Sequence, residues 1–293
     1  MTVNEALQSG QNRLEAEILL AHTLGKNRPW LIAHKDDMLS MSKQRLFLQC
    51  IKRRTHHEPL AYLLGTQNFC GTSFIVNKHV LIPRPETEAL VDFAVETYTA
   101  HLSDQSNIVV WDVGTGSGAI AVSVKHLLPH AIVIASDISK RALGVARRNA
   151  IRILDPNSHL HFFTGSLLSK NIQTFLIQER PDHLIVLANL PYLPLSDKTV
   201  LEKTVVDFEP HLALFTKKDG NALIITFLKQ CARFLQTYSI QTMIYLECDA
   251  PQIYTLTKVA AHLFPHATVA MKKDCFGRER FIQIMIASQA QQT

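Results

Sequence analysis

The sequence predicts an α/β fold, a seven-stranded and mostly parallel sheet with an antiparallel last strand, preceded by a small helical domain. Three observations carry this. After Asn107, short apolar runs alternate with stretches of helical spacing, the pattern of βαβ units whose sheet is covered on both faces. The first run ends in Gly114-Thr115-Gly116-Ser117-Gly118 and passes directly into the apolar Ala119-Ile120-Ala121-Val122, a strand, glycine turn and helix in succession. Before residue 65 apolar positions recur only at helical spacing.

In chain order, Leu14, Ile18, Leu19 and Leu24, then Leu46, Leu48 and Ile51, mark several short helices punctuated by Gly25, Pro29, Ser40 and Pro59. Residues 1–65 therefore form a helical domain. Its basic segment Lys52-Arg53-Arg54, followed by His56 and His57, is either a solvated helix end or a binding face. From Ala61 to Pro83 the pattern is extended, and Gly65, Gly71 and Thr72-Ser73-Phe74-Ile75-Val76 predict a linking β-hairpin over 66–82. A catalytic domain then fills 83–293. Pro85 suits the first turn of a helix reaching about Leu102, with Glu86 and Glu88 either capping its positive end or serving the site. Strands are expected near 108–113, 131–136, 159–163, 183–188, 242–247, 267–271 and 280–286, and helices over 118–128, 139–151, 220–236 and 250–263. Lys272 to Gly277 leaves no room for a helix between the last two strands, so these pair antiparallel.

A hydrophobic content of 47% is ample for a core, yet no apolar run approaches the roughly 20 residues that span a bilayer. The opening MTVNEALQSGQNRLEAE lacks a signal-peptide profile, and a cytoplasmic location is expected. Cys50, Cys70, Cys231, Cys248 and Cys275 have no paired metal-ligand spacing, nor do His126, His130, His159, His161, His211, His262 and His266. No metal is predicted. The net charge of +5 permits an acidic partner without demanding one, and no basic channel for a direct nucleic-acid substrate is evident.

The glycine turn leaves backbone N–H groups free of Cβ atoms to face a ligand, and Asp137 closes the second strand about twenty residues on, where an acid accepts from ribose hydroxyls. Gly114-x-Gly116-x-x-Ala119 also admits a dinucleotide reading. A second motif separates the two. The run Leu184-Ile185-Val186-Leu187 reads as a strand buried on both faces, and it delivers Ala188-Asn189-Leu190-Pro191-Tyr192 to the sheet's crevice. The Asn189 side-chain oxygen and the Leu190 carbonyl each accept one N–H of a planar NH2 group, with Tyr192 beside its plane. An amide or exocyclic amine held there is a destination for a methyl group, not for a hydride.

Asp112-x-Gly114-x-Gly116-x-Gly118 resembles the first motif of class I methyltransferases, which bind S-adenosylmethionine, and the antiparallel last strand resembles their Rossmann-like sheet. Further strings narrow the likeness: Glu15-Ala16-Glu17-Ile18-Leu19-Leu20-Ala21-His22, Leu81-Ile82-Pro83-Arg84-Pro85-Glu86-Thr87-Glu88, Phe208-Glu209-Pro210 and Gly277-Arg278-Glu279-Arg280. With them the chain resembles, over nearly its whole length, the release-factor glutamine methyltransferases (the PrmC/HemK family). These methylate the side-chain amide of the Gln in the Gly-Gly-Gln loop of peptide chain release factors. The resemblance implies S-adenosylmethionine as cofactor, a release factor as partner, and a helical domain that docks it. It implies that Asn189, Leu190, Pro191 and Tyr192 are catalytic, and that Gly114, Thr115, Gly116, Ser117, Gly118, Asp137, Ser166, Leu167 and Asn189 contact the cofactor.

Two departures stand out. Leu190 occupies a position where the family usually has Pro, so the ring that stiffens the backbone beside Asn189 is missing. Ser166, in Gly165-Ser166-Leu167-Leu168, replaces an Asp common near the adenine, leaving a backbone contact or Leu167 packing to serve instead. Other readings are a ribosomal-protein glutamine methyltransferase, an adenine-N6 nucleic-acid methyltransferase and a non-catalytic cofactor-binding scaffold. Glu247, after Met243-Ile244-Tyr245-Leu246, reads as structural.

Overall fold

The computed structural model describes residues 1–101, 107–216 and 220–288, so the predicted helix end at Leu102 lies outside the described residues. Helices α1 (Val3–Gln8), α2 (Arg13–Leu24), α3 (Arg28–Ala33), α4 (Met41–Thr55) and α5 (Leu60–Leu64) come first. Thr2 and Glu5 start α1 with a reciprocal capping box, and Gly25, at φ 68°, ends α2 in the left-handed region that glycine tolerates. Val3, Leu19, Leu20, Leu31 and Phe47 form a separate core for these helices. The basic segment is engaged inside this domain: Arg54 pairs with Glu15 at 2.8 Å and Arg53 with Glu58.

Strands β1 (Thr66–Phe69) and β2 (Thr72–Ile75) form the expected hairpin through a two-residue turn, Cys70 at φ 46° and Gly71 at φ 69°. Two positive φ values match the twist of the flanking strands. The helix α5 corrects the extended stretch expected from Ala61. Its five residues are too few for a 3.6-residue period to show, and tertiary packing decides them. Leu63 enters the helical core, while Ala61 joins Val76, Val80 and Ile82 against Ala142 and Val145.

After a single 3₁₀ turn, Pro85–Thr87, the chain continues as α6 (Glu88–His101), β3 (Ile108–Val113), α7 (Ala119–Leu127), β4 (Ile132–Asp137), α8 (Lys140–Ile153) and β5 (Leu160–Thr164). Then follow α9 (Lys170–Glu179), β6 (His183–Ala188), β7 (Leu193–Pro194), α10 (Lys203–Val206), α11 (His211–Leu214) and β8 (Phe215–Thr216). The last elements are α12 (Ala222–Thr237), β9 (Gln241–Glu247), α13 (Ala250–Leu263), β10 (Thr268–Lys273) and β11 (Glu279–Ile286). The sequence pattern does not reveal α9, which buries only Ile172 and Leu176 and so leaves too thin an apolar stripe.

The main sheet has the order β10-β11-β9-β6-β3-β4-β5, with β11 antiparallel to both neighbours and the other pairs parallel. Its core is a period-two sorting of side chains. Val109, Trp111, Leu184 and Val186 face one layer of helices, and Val110, Ile185 and Leu187 face the other. Burial on both faces is why these strands read as continuous apolar runs.

The topology also fixes where a ligand can sit. From β3 the chain winds one way to β4 and β5, and then returns to build β6 and β9 on the other side. A crevice opens at that reversal. Register pairs Val113 with Ala188 and Ala188 with Leu246, so the glycine turn, Asn189 and Glu247 leave three adjacent strands at one level.

Candidate active site

A cavity at this reversal is lined by Gly114, Gly116, Asp137, Ser166, Leu167, Asn189, Leu190 and Pro191 from the strand ends. His79, Val80 and Leu81 of the linker, with Leu212 and Ala213 of α11, complete its wall. Thr115, Ser117, Gly118 and Tyr192 do not line it.

The glycine turn works differently from the sequence expectation. Four of its five N–H groups are consumed within the protein: Gly114 and Thr115 donate to the Ser136 carbonyl at 2.8 and 2.9 Å, Gly116 to Asp137 and Gly118 to the Thr115 carbonyl. What the turn offers the cavity is a wall without side chains. Gly114 has φ 75°, and a Cβ there would stand 3.3 Å from Leu190 Cδ2. Leu190 is thus buried against the glycine turn, joining the two motifs by packing where a proline ring was expected. At Gly118, φ 82°, a Cβ would meet Ala146 of α8 at 3.0 Å, so that glycine lets two helices approach.

Buried Asp112 braces the turn, its Oδ2 accepting from the Thr115 hydroxyl at 2.6 Å and the Ala121 N–H at 3.1 Å. Burial pushes its carboxyl up to about 7 against those bonds. Asn149, fully buried on α8, accepts from the Ile75 N–H and donates to the Ile75 and Ser117 carbonyls, stapling hairpin, helix and turn together. Asp137 holds its carboxylate at the cavity edge through the Gly116 and Ser139 N–H groups, at 2.9 and 2.7 Å. Burial raises its pKa, and the two N–H bonds oppose that. Each oxygen keeps a lone pair for a further donor. Ser166 is exposed at the rim, while Leu167, at φ 49°, is buried and turns the chain so that the Leu168 N–H reaches Gln230 at 3.1 Å.

Asn189 Nδ2 donates to the Thr87 hydroxyl at 3.0 Å, and that hydroxyl donates to Glu247 Oε2 at 2.8 Å. Neither Asn189 Oδ1 nor the Leu190 carbonyl bonds to another described residue. Tyr192 lies outside the cavity wall, its hydroxyl 3.5 Å from Glu247 Oε1 and its carbonyl accepting from Gln252 Nε2 at 2.7 Å. Burial next to that carboxylate raises the phenol's pKa. Glu247 is itself pushed up to about 7, by burial first, with the Thr87 bond and Arg280 at 3.8 Å pulling the other way.

Thr87 does not stand out in the sequence and Glu247 reads there as structural; a carboxylate closing an apolar strand is the available signal. The two acids flanking Thr87 take no part in the wall. Glu88 accepts from the Cys70 N–H at 2.9 Å, tying α6 to the hairpin turn. Glu209 is buried where Oε2 accepts from the Ile82 N–H at 3.0 Å and Oε1 from Arg84, locking the linker over the cavity. Among the described residues, no group of three or more His, Cys, Asp or Glu side chains is placed to hold a metal ion, and no helix is long and apolar enough to cross a membrane.

The side-chain-free wall, the Asp137 carboxylate, and the apolar Ile138 and Leu167 fit a nucleoside carrying a short polar chain, the shape and chemistry of S-adenosylmethionine. Comparison with known proteins agrees. Residues 4–65 match the PrmC N-terminal domain and residues 87–176 the methyltransferase small domain. The chain is 33% identical over 271 residues to the release factor glutamine methyltransferase of Leptospira interrogans, covering 92% of this chain and 90% of that one. It is 30% identical over 275 residues to the Bacillus cereus release factor glutamine methyltransferase, covering 94% and 93%. In fold it resembles the hMettl16 catalytic domain, with a TM-score of 0.54 at 14% identity over 85% of this chain and 82% of that one. The chain belongs to the release factor glutamine methyltransferase family, S-adenosylmethionine-dependent enzymes that methylate a protein glutamine.

Proposed function

We propose that this chain methylates the side-chain amide nitrogen of the Gln in the Gly-Gly-Gln loop of a peptide chain release factor, in the cytoplasm and without a nucleic-acid substrate. The observation carrying the reading is the pair of unengaged acceptors, Asn189 Oδ1 and the Leu190 carbonyl, beside a cavity fit for the cofactor. Asp137 would hold the ribose hydroxyls, Ile138 and Leu167 would enclose the purine, and Gly114 and Gly116 would admit the amino-acid end. Ser166 offers the adenine amine a hydroxyl where the family has a carboxylate. When bound, S-adenosylmethionine supplies an electrophilic methyl carbon on a sulfonium.

An amide nitrogen is a poor nucleophile because its lone pair is delocalised into the carbonyl. Asn189 and Leu190, accepting its two N–H groups, orient that lone pair and enrich it slightly. Fixing two reactants in near-attack geometry lowers a barrier by about 7–11 kcal/mol. The carbon–nitrogen bond would form there as the carbon–sulfur bond is given up, its electron pair staying with the departing thioether. The nitrogen then sheds one proton to water, which an N-alkylated amide cation gives up without a strong base. Mass spectrometry of a release factor after incubation with this protein and S-adenosylmethionine is expected to show 14 Da added on the Gly-Gly-Gln peptide (about one methylene, the replacement of a proton by a methyl). An unmodified peptide would refute the assignment.

The helical domain is proposed to dock the release factor away from the reacting Gln. Arg53 and Arg54 of its basic helix end are paired internally, and Ile32, Met38 and Met41 are largely exposed and offer apolar contact. The domain boundary matters to the test. A fragment beginning near Leu81 would lose Val80 from the cavity wall and Ile75 from the Asn149 staple. A fragment of residues 60–293 keeps both, and with them Ala61 and the Tyr62 hydroxyl, which donates to the Val80 carbonyl at 2.6 Å. It is expected to retain S-adenosylmethionine affinity while its KM for the intact release factor rises about tenfold or more, the loss of roughly 1.4 kcal/mol of remote binding. An unchanged KM would remove the docking role.

A further inference from the structure

We infer that Thr87 is a positioning residue that sets which end of the Asn189 amide faces the substrate. The inference rests on the glutamine-methylating reading above but concerns a residue in the 3₁₀ turn, outside the cavity wall.

The oxygen and NH2 of a primary amide are nearly isosteric, so packing alone does not distinguish the two orientations of Asn189. Hydrogen-bond polarity does. The Glu247 carboxylate is an acceptor only, so the single hydrogen of the Thr87 hydroxyl goes to it, at 2.8 Å. The Thr87 oxygen can then only accept, and at 3.0 Å it takes the Nδ2–H of Asn189. Oδ1 is left facing the cavity. Turned over, Asn189 would aim its own NH2 at the substrate NH2, donor against donor. Thr87 is 5% exposed and Glu247 1%, so water does not supply an alternative partner. This chain of bonds also does what the missing proline ring at Leu190 would do, holding Asn189 from the side-chain end instead of through the backbone.

Glu247 is faced by Thr87 and Glu86 of the 3₁₀ turn, by Tyr192 of the loop after β6, and by Arg280 of β11. When it is protonated it can donate to Thr87, which frees the hydroxyl hydrogen for Asn189 and removes the preference. Because its folded pKa is raised, the ordered state is the one at higher pH, and turnover falls as pH drops through about 7.

The test uses the full chain, with Thr87→Val, which keeps the shape and removes the hydroxyl, and Thr87→Ser, which restores it. At pH 8, Thr87→Val is expected to lower kcat about 10- to 100-fold, with the KM for release factor and the affinity for S-adenosylmethionine little changed. Thr87→Ser is expected to recover most of the turnover. A Thr87→Val enzyme with wild-type kcat, or a serine variant no better than the valine one, overturns the inference. A readout independent of turnover is hydrogen exchange of the Asn189 side-chain amide, followed by ¹⁵N NMR without substrate. Slow exchange in wild type and Thr87→Ser with fast exchange in Thr87→Val supports the role; equal exchange in all three overturns it. If release factor is not the substrate, the wild type fails to methylate it while the exchange result stands, so the two failures are distinguishable.

Discussion

Replacing Asn189 with alanine or aspartate is expected to lower turnover by about 100-fold or more, with cofactor affinity nearly intact, in assays with purified release factor and labelled S-adenosylmethionine. The alanine variant removes one of the two acceptors for the substrate amide and leaves the Thr87 oxygen without a donor. The aspartate variant fails for a different reason. A carboxylate has no N–H for Thr87, and its charge is drawn to the sulfonium in the ground state. That charge on sulfur disappears as the methyl moves, so the attraction is weaker in the transition state and slows the step. The aspartate variant should therefore bind the cofactor at least as well as wild type and turn over poorly. Undiminished turnover in either variant would take Asn189 out of the reaction.

Glu209→Ala is expected to destabilise the chain by about 3 kcal/mol in denaturant unfolding and to weaken S-adenosylmethionine binding. Glu209 is 3% exposed, and its removal leaves the buried Ile82 N–H without its acceptor. The Arg84 guanidinium loses its carboxylate as well, but at 36% side-chain exposure it can turn to water, which holds the figure below that of a fully buried pair. Cofactor affinity follows because Ile82 anchors the segment that carries His79, Val80 and Leu81 over the cavity. Wild-type stability in this variant would show that the linker is held without this carboxylate.

Much of the fold is legible in the residues themselves. Strands β3 and β6 match the sequence pattern residue for residue because both their faces are buried, and a run of four to six apolar residues then has one reading. The same reasoning fails for α5 and α9. Five residues do not express a helical period, and two buried side chains in ten do not make a stripe. At the site, Gly114, Asp137 and Asn189 announce themselves, since a turn needing positive φ and a polar side chain closing an apolar run are local signals. The backbone N–H groups of the glycine turn were expected to face a ligand. The Ser136 carbonyl and the Asp137 carboxylate claim three of them instead, and both come from β4, which no inspection of the turn alone discloses.

By itself the sequence determined the sheet, the glycine turn and the presence of an amide at its edge, because each depends on backbone conformation or on a period shorter than one element. Only the tertiary structure decided how that amide is oriented. Thr87 is 102 residues from Asn189 and 160 from Glu247, and the direction of hydrogen bonding along the three exists only once sheet register has levelled Asn189 with Glu247 and the 3₁₀ turn before α6 has set Thr87 between them. An amide has two nearly identical ends, and what tells them apart is the partner on its far side, supplied by another part of the chain.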